Sequence, residues 1–265
     1  MANIKLTYRP WPWWPYEKNR EIVFPAKLSD LTFIQFVLIA NITADIDENT
    51  FLADFLGIPK RIVNKLSANQ KLYLFELFEV YQDSEFINKV IIDKFHFQYV
   101  TYLGPSDKLG NIIFGEFCFA DTYFLDYINN DDNDALNKFI AVLYRPMKHV
   151  DVNDEDFNGD WRVKFNSYHT NKRAETIADI YPQLKQAIVF NYRKIRAWLE
   201  VSYKYVFPKV DEKPKKETKP MSWLPILENM ASNDIINLDK YSQLPLHNAL
   251  RHLDNRIMEY YKGKR

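Results

Sequence analysis

The spacing of apolar residues changes along this chain, and the changes mark its elements. Ile4-Lys5-Leu6-Thr7-Tyr8 alternates apolar and polar with period two, which predicts a strand. Arg9-Pro10-Trp11-Pro12-Trp13-Trp14-Pro15-Tyr16 follows. Its three prolines each remove a backbone donor and favour extended backbone, so it reads as an arm. From Ser29 the pattern becomes helical: Ser29 or Asp30 caps a helix whose apolar side is Leu31, Ile34, Leu38 and Ile42. A second helix is expected over residues 49–56, stopping at Gly57-Ile58-Pro59. Ser67 stands three residues before Gln70, the capping-box spacing, and opens a helix over 70–81 with Leu74, Leu77, Phe78 and Tyr81 on one side.

The centre is richer in strand formers. Phe95-His96-Phe97-Gln98-Tyr99-Val100 and Ile112-Ile113-Phe114-Gly115-Glu116-Phe117 flank Gly104-Pro105 and Gly110-Asn111, which predicts a small antiparallel hairpin or sheet. Helical spacing returns over residues 121–128 and 135–144. Pro182 then opens a long helix carrying Leu184, Ile188, Tyr192, Ile195, Leu199 and Val206, which Pro208 ends. Residues 210–220 are charged, contain two prolines and no large ring, and read as a linker. Beyond them Leu246, Leu250, Leu253, Ile257 and Tyr260 form a heptad-like seam on a last helix. The expected architecture is α+β and predominantly α: a helical body (1–209) with a small central antiparallel hairpin, a linker (210–220), and a tethered helical module (221–265).

Composition narrows the function. The chain has 265 residues, 35 basic and 35 acidic, and 16% aromatics, so it builds a real core without the net positive field that non-specific nucleic-acid binding uses. One cysteine excludes an internal disulfide and any multi-cysteine zinc site. No basic-then-apolar leader and no run of about 20 apolar residues is visible. A reduced, soluble compartment is therefore expected, with no membrane partner.

Chemical motifs are mostly incomplete in this chain. Gly110 and Gly115 have the spacing of a phosphate loop, but Glu116 and Phe117 stand where Lys and Ser/Thr are required. The one metal-like segment is Asp154, Asp156, Asn158 and Asp160, with Gly159 at the turn position of a calcium loop. Position 12 of that loop is Phe165 rather than a bidentate Glu, so a plain solvated turn is the competing reading. His96 is expected in the core, and His247 and His252 lie five apart, about 140° round a helix, too far to share a metal. Cys118, between Phe117 and Phe119, reads as an inert buried thiol. Asp131, Asp132 and Asp134 read as the turn of a helical hairpin. No catalytic set and no cofactor is expected.

What remains is contact chemistry. Trp11, Trp13 and Trp14 form either an aromatic docking platform for a peptide or glycan, or an arm packing its rings onto the body. Trp223 and the seam of Leu246, Leu250, Leu253 and Ile257 sit on a module of about 45 residues, too small for strong stability alone. That seam needs the body, a second copy or a client to cover it.

Leu31-Thr32-Phe33-Ile34-Gln35-Phe36 with Phe55-Leu56-Gly57-Ile58, Ala135-Leu136-Asn137-Lys138-Phe139-Ile140-Ala141-Val142-Leu143-Tyr144-Arg145-Pro146, and the segment from Trp223 to Asp234 with Leu244-Pro245-Leu246 resemble the tail assembly chaperones of long-tailed bacteriophages. The resemblance implies a non-enzymatic helical protein that binds a tape-measure-like tail protein in the host cytoplasm during virion assembly. It also implies an extension that arises by frameshifting in many such phages. The alternatives are a structural or adaptor protein retained in the virion and an aromatic-platform glycan- or peptide-binding module; the expected partners are other tail proteins, with a homo-oligomer also open. The central strands and the long body depart from the small helical bodies of that family.

Overall fold

A computed structural model describes residues 2–11, 13, 15–42, 46–78, 81, 86–148, 159–207, 223–232 and 234–263. It is 58% helix and 12% strand, which makes the class α+β and predominantly α, as the pattern predicts. The chain divides into two compact units, Met1–Ile87 and Asn88–Arg265. This division differs from the one drawn on the sequence at 209 and 221: the C-terminal helices belong to the same compact unit as the central helices. Residues 210–220 lie outside the described residues.

The first unit opens with an antiparallel hairpin, β1 (Ala2–Tyr8) and β2 (Lys18–Phe24), in which Ile4 lies opposite Ile22. Alternation directs Ile4, Leu6, Ile22 and Phe24 inward. Helices α1 (Phe33–Ala40), α2 (Glu48–Leu56), α3 (Lys60–Val63) and α4 (Ala68–Glu76) follow. Ser67 and Gln70 form the expected reciprocal capping box, and Thr32 with Gln35 forms a second that caps α1 in place of Ser29 or Asp30. Gly57 ends α2 in the left-handed region at φ 62°, where a residue without Cβ is unstrained. The buried side of α1 is Phe36 and Ile39, not the expected stripe; Ile34 is 65% exposed. A helix that is apolar nearly all round has no single face written in its spacing. Phe24, Phe51, Phe55, Phe78 and Tyr81 make the core, with Phe55 and Phe78 edge to face at 4.7 Å and the Tyr81 hydroxyl donating to the Pro25 carbonyl.

The second unit holds a three-stranded antiparallel sheet in the order β3 (Lys94–Phe97), β4 (Val100–Leu103), β5 (Arg145–Pro146). Its first turn is Gln98-Tyr99, both at positive φ, so the hairpin partner of β3 is β4. The expected second strand around Ile112–Phe117 is instead the start of a helix, α5 (Phe114–Asn130). A short apolar run without alternation fits either element, and here the helix continues for four turns. Asp131 ends α5 in the left-handed region and Asp132 caps α6 (Asn133–Leu143), the hairpin turn that the acidic run predicts. Helices α7 (Thr170–Ala178) and α8 (Pro182–Ser202, with Pro at its first position) complete the centre. The C-terminal helices are α9 (Trp223–Met230), α10 (Ile235–Ser242) and α11 (Leu246–Lys262). A short bridge between Ile113 and Pro245 joins the starts of α5 and α11.

Two arginines sit inside this unit. Arg145 and Arg162, each 1% exposed, both pair with the Glu116 carboxylate of α5, at 2.6 and 3.0 Å. Their remaining N–H groups donate to the carbonyls of Val142, Leu143 and Val163 and to Asp160. Burial alone would raise the Asp160 carboxyl, but the hydrogen bonds and charge of Arg162, joined by the charge of Arg145, hold it below the usual carboxylate range. Glu116→Ala leaves two buried guanidinium groups without their shared anion and is expected to lower stability by about 3–5 kcal/mol in urea unfolding. A loss below about 1 kcal/mol would show the cluster to be dispensable. Because Asp160 is held low, it stabilises the fold above the unfolded value of about 3.9 and loses that contribution as pH falls through its folded value. Stability measured against pH should therefore decline on the acid side, and less steeply in Asp160→Asn.

Candidate functional site

In the first unit, the segment between β1 and β2 carries the rings that the sequence singled out. Trp11 is 56% exposed, Trp13 73% and Tyr16 72%. The two indoles lie 6.2 Å apart and 18° from parallel. Lys65 holds its ammonium 5.1 Å over the Trp11 ring and donates to the Pro10 carbonyl, and Arg9 pairs with Glu17 at 3.7 Å where the strands separate. The rings therefore form an outward ledge, with the two indoles stacked on one another. Trp14 lies outside the described residues.

Trp223 has the opposite fate. It is fully buried in the second unit, edge-on to Phe117 at 4.9 Å, to Phe207 at 5.5 Å and to Phe114 at 6.0 Å. Its indole N–H donates to Asp121 at 2.7 Å. Asp121 also accepts from the Tyr192 hydroxyl at 3.0 Å and from Arg196 Nε at 2.7 Å, so one buried carboxylate joins α5, α8 and α9. The seam is consumed in the same way. Leu246, Leu250 and Leu253 are buried within the unit, Ile257 is half-buried, and only the stretch near Tyr260 faces solvent. Of the residues expected on a partner surface, Trp223 and these three leucines are internal contacts, because the C-terminal helices dock within the second unit, Trp223 against α5 and Phe207.

That docking creates a groove that the sequence does not announce. On α5 its wall is Gly115, Cys118, Phe119, Thr122 and Tyr123, a stripe at helical spacing. Leu224 and Leu227 of α9 and Leu238, Asp239 and Ser242 of α10 form the other side, enclosing about 520 Å³. Gly115 lets α10 approach α5 closely: a Cβ there would lie 3.1 Å from both the Cβ and the carbonyl oxygen of Ser242. Phe119 and Leu224 remain 40% and 56% exposed at the mouth. Burial, helped by the charge of Asp121, pushes the Cys118 thiol well up, so it is a neutral lining group, the inert thiol that its flanking rings suggest. The stripe was legible only once the strand reading of residues 112–117 is replaced by a helix.

The other tested groups have structural work. Asp154, Asp156 and Asn158 lie outside the described residues, and Asp160 directs its oxygens to Arg145 and Arg162. Among the described residues no three His, Cys, Asp or Glu converge as a metal site. His96 is exposed and bonded to Thr101, contrary to the core position expected, because alternation in β3 turns Phe95 inward and His96 outward. His247 bridges the Tyr203 hydroxyl and the Lys108 carbonyl, and burial lowers its pKa. Among the described residues no helix is long and apolar enough to cross a membrane.

No family model, curated protein or solved structure matches the chain. The two aromatic sites respond differently to truncation. Trp223→Ala removes a buried ring and one of the three side chains that donate to Asp121, and is expected to cost about 3–5 kcal/mol and to open residues 223–262 to proteolysis. Trp11→Ala and Trp13→Ala should stay within about 0.5 kcal/mol of wild type in the same unfolding assay. Equal losses at both sites would contradict this division.

Proposed function

We propose that this chain is a non-enzymatic contact protein of phage tail assembly, a chaperone or scaffold that engages a tape-measure-like helical protein. The reading joins the resemblance of the helical segments to one observation, the outward ledge of Trp11 and Trp13. Exposed tryptophans are costly to leave in water and are the residues that most often anchor interfaces. A tip with fixed backbone presents them at low entropic cost to a partner. In this reading the ledge grips apolar side chains of the client, and the buried polar groups serve only to hold the fold.

A second reading has a specific observation behind it: two indoles 18° from parallel also present the flat face that a sugar ring or an extended peptide stacks on. Co-expression with the neighbouring large helix-rich tail protein distinguishes the two. A complex should survive purification, and Trp11→Ala with Trp13→Ala should lower co-purification at least tenfold, about 1.4 kcal/mol, with the melting curve unchanged. If the full chain fails to hold the client, or the double variant holds it as well as wild type, the chaperone reading is wrong. Retention on polysaccharide or Pro-rich peptide that is lost in the same variant would favour the second.

A further inference from the structure

The groove beside Trp223 and the end of α11 are complementary, and we infer that the groove of one copy receives the C-terminal part of α11 from a second copy. Among the residues that line the groove none belongs to α11. The lining is apolar apart from a few side chains, and its one ionisable carboxylate is Asp239. Asp126 continues the α5 stripe one turn beyond Thr122 and Tyr123, and Glu228 lies one turn beyond Leu224 on α9. Among the described residues, no ion pair involves Asp126, Glu228 or Asp239. The mouth is therefore apolar with these three acids beside it, and the cation at its Tyr123 wall, Lys138 at 5.9 Å from that ring, is already paired with Asp134 at 2.6 Å.

The end of α11 has the opposite character. Asp254 accepts from the backbone N–H groups of Tyr205 and Val206, which fixes the helix at that point. Beyond it Ile257, Tyr260 and Tyr261 share one face at i, i+3 and i+4, and the two tyrosines are 58% and 56% exposed. Within the helix, residues 255–262 carry Arg256 and Lys262 against the single acid Glu259, and Lys264 and Arg265 follow in the sequence outside the described residues. An amphipathic basic helix meeting an apolar groove with acidic flanks is the helix-in-groove mode of recognition. The volume, about 520 Å³, suits a few large side chains and falls within the range of formed binding pockets.

Groove and helix end are different patches, so the contact is head-to-tail. Each copy then keeps a free groove at one end and a free helix at the other, and the assembly grows as a ring or an open row. The inference is independent of the ledge and of any client.

The test is light scattering on the full chain after gel filtration, with two variants. The chain should have at least twice its monomer mass, and high salt should reduce it, since the flanks are exposed charges. Leu224→Arg, at an exposed position of the groove, and Tyr260→Ser with Tyr261→Ser, on the exposed helix end, should each give monomers with unchanged circular dichroism. Mixed together, they should form a one-to-one dimer and nothing larger, because one supplies only the helix and the other only the groove. A wild-type monomer, an oligomer that survives both variants, or a mixture that stays monomeric would each overturn the inference. So would a monomeric wild type whose client binding is lost in Leu224→Arg, which would give the groove to the client.

Discussion

The second unit depends on the burial of one carboxylate. Asp121 lies wholly inside, where an unmatched negative charge would cost several kcal/mol, so its oxygens must be supplied with donors. Those donors come from Tyr192, Arg196 and Trp223, which are 71, 75 and 102 residues away along the chain. Bringing them together fixes α8 and α9 against α5, and the aromatic packing of Trp223 on Phe114, Phe117 and Phe207 adds apolar area to a contact that the charge has already positioned. The groove exists because α9 is held there and α10 follows it.

The same helix carries a second buried acid. Glu116 precedes Asp121 by five residues, which on an α-helix is about 140° round the axis, so the two face different neighbours. Glu116 faces Arg145 and Arg162 and through them the carbonyls that end α6. Ion pairs of this kind seldom stabilise more than a well-packed apolar core would, but they tolerate few alternative arrangements. Two such acids on one helix orient it both around and along its axis, which a uniformly apolar helix such as α1 lacks.

The local rules were legible in the sequence, and the long-range ones were not. Ser67 with Gln70, the stop at Gly57, the start at Pro182 and the alternation from Ile4 to Tyr8 each involve neighbours within a few residues, and each is present in the fold. The run from Ile112 to Phe117 misled because a short, mostly apolar run without alternation fits a strand and a buried helix alike. The burial of Glu116 and Asp121 was not legible, since nothing near them in the sequence announces Arg145, Arg162 or Trp223. The seam on α11 was correctly seen as apolar and helical, but spacing does not say what covers it, and its first half is covered at home. The ledge of Trp11 and Trp13 was visible as composition, while its outward direction needed the hairpin geometry.

Gly115 has a consequence for how this architecture varies. The approach of α10 to α5 is set there by the absence of a single methyl group, since a Cβ would press on Ser242. Larger side chains at that position would act as a spacer, moving α10 outward while Trp223, held from the other side, keeps α9 in place. The width of the groove is thus adjustable at one codon without touching the charges that organise the core. Such separation lets the groove change shape while the fold beneath it stays under constant constraint.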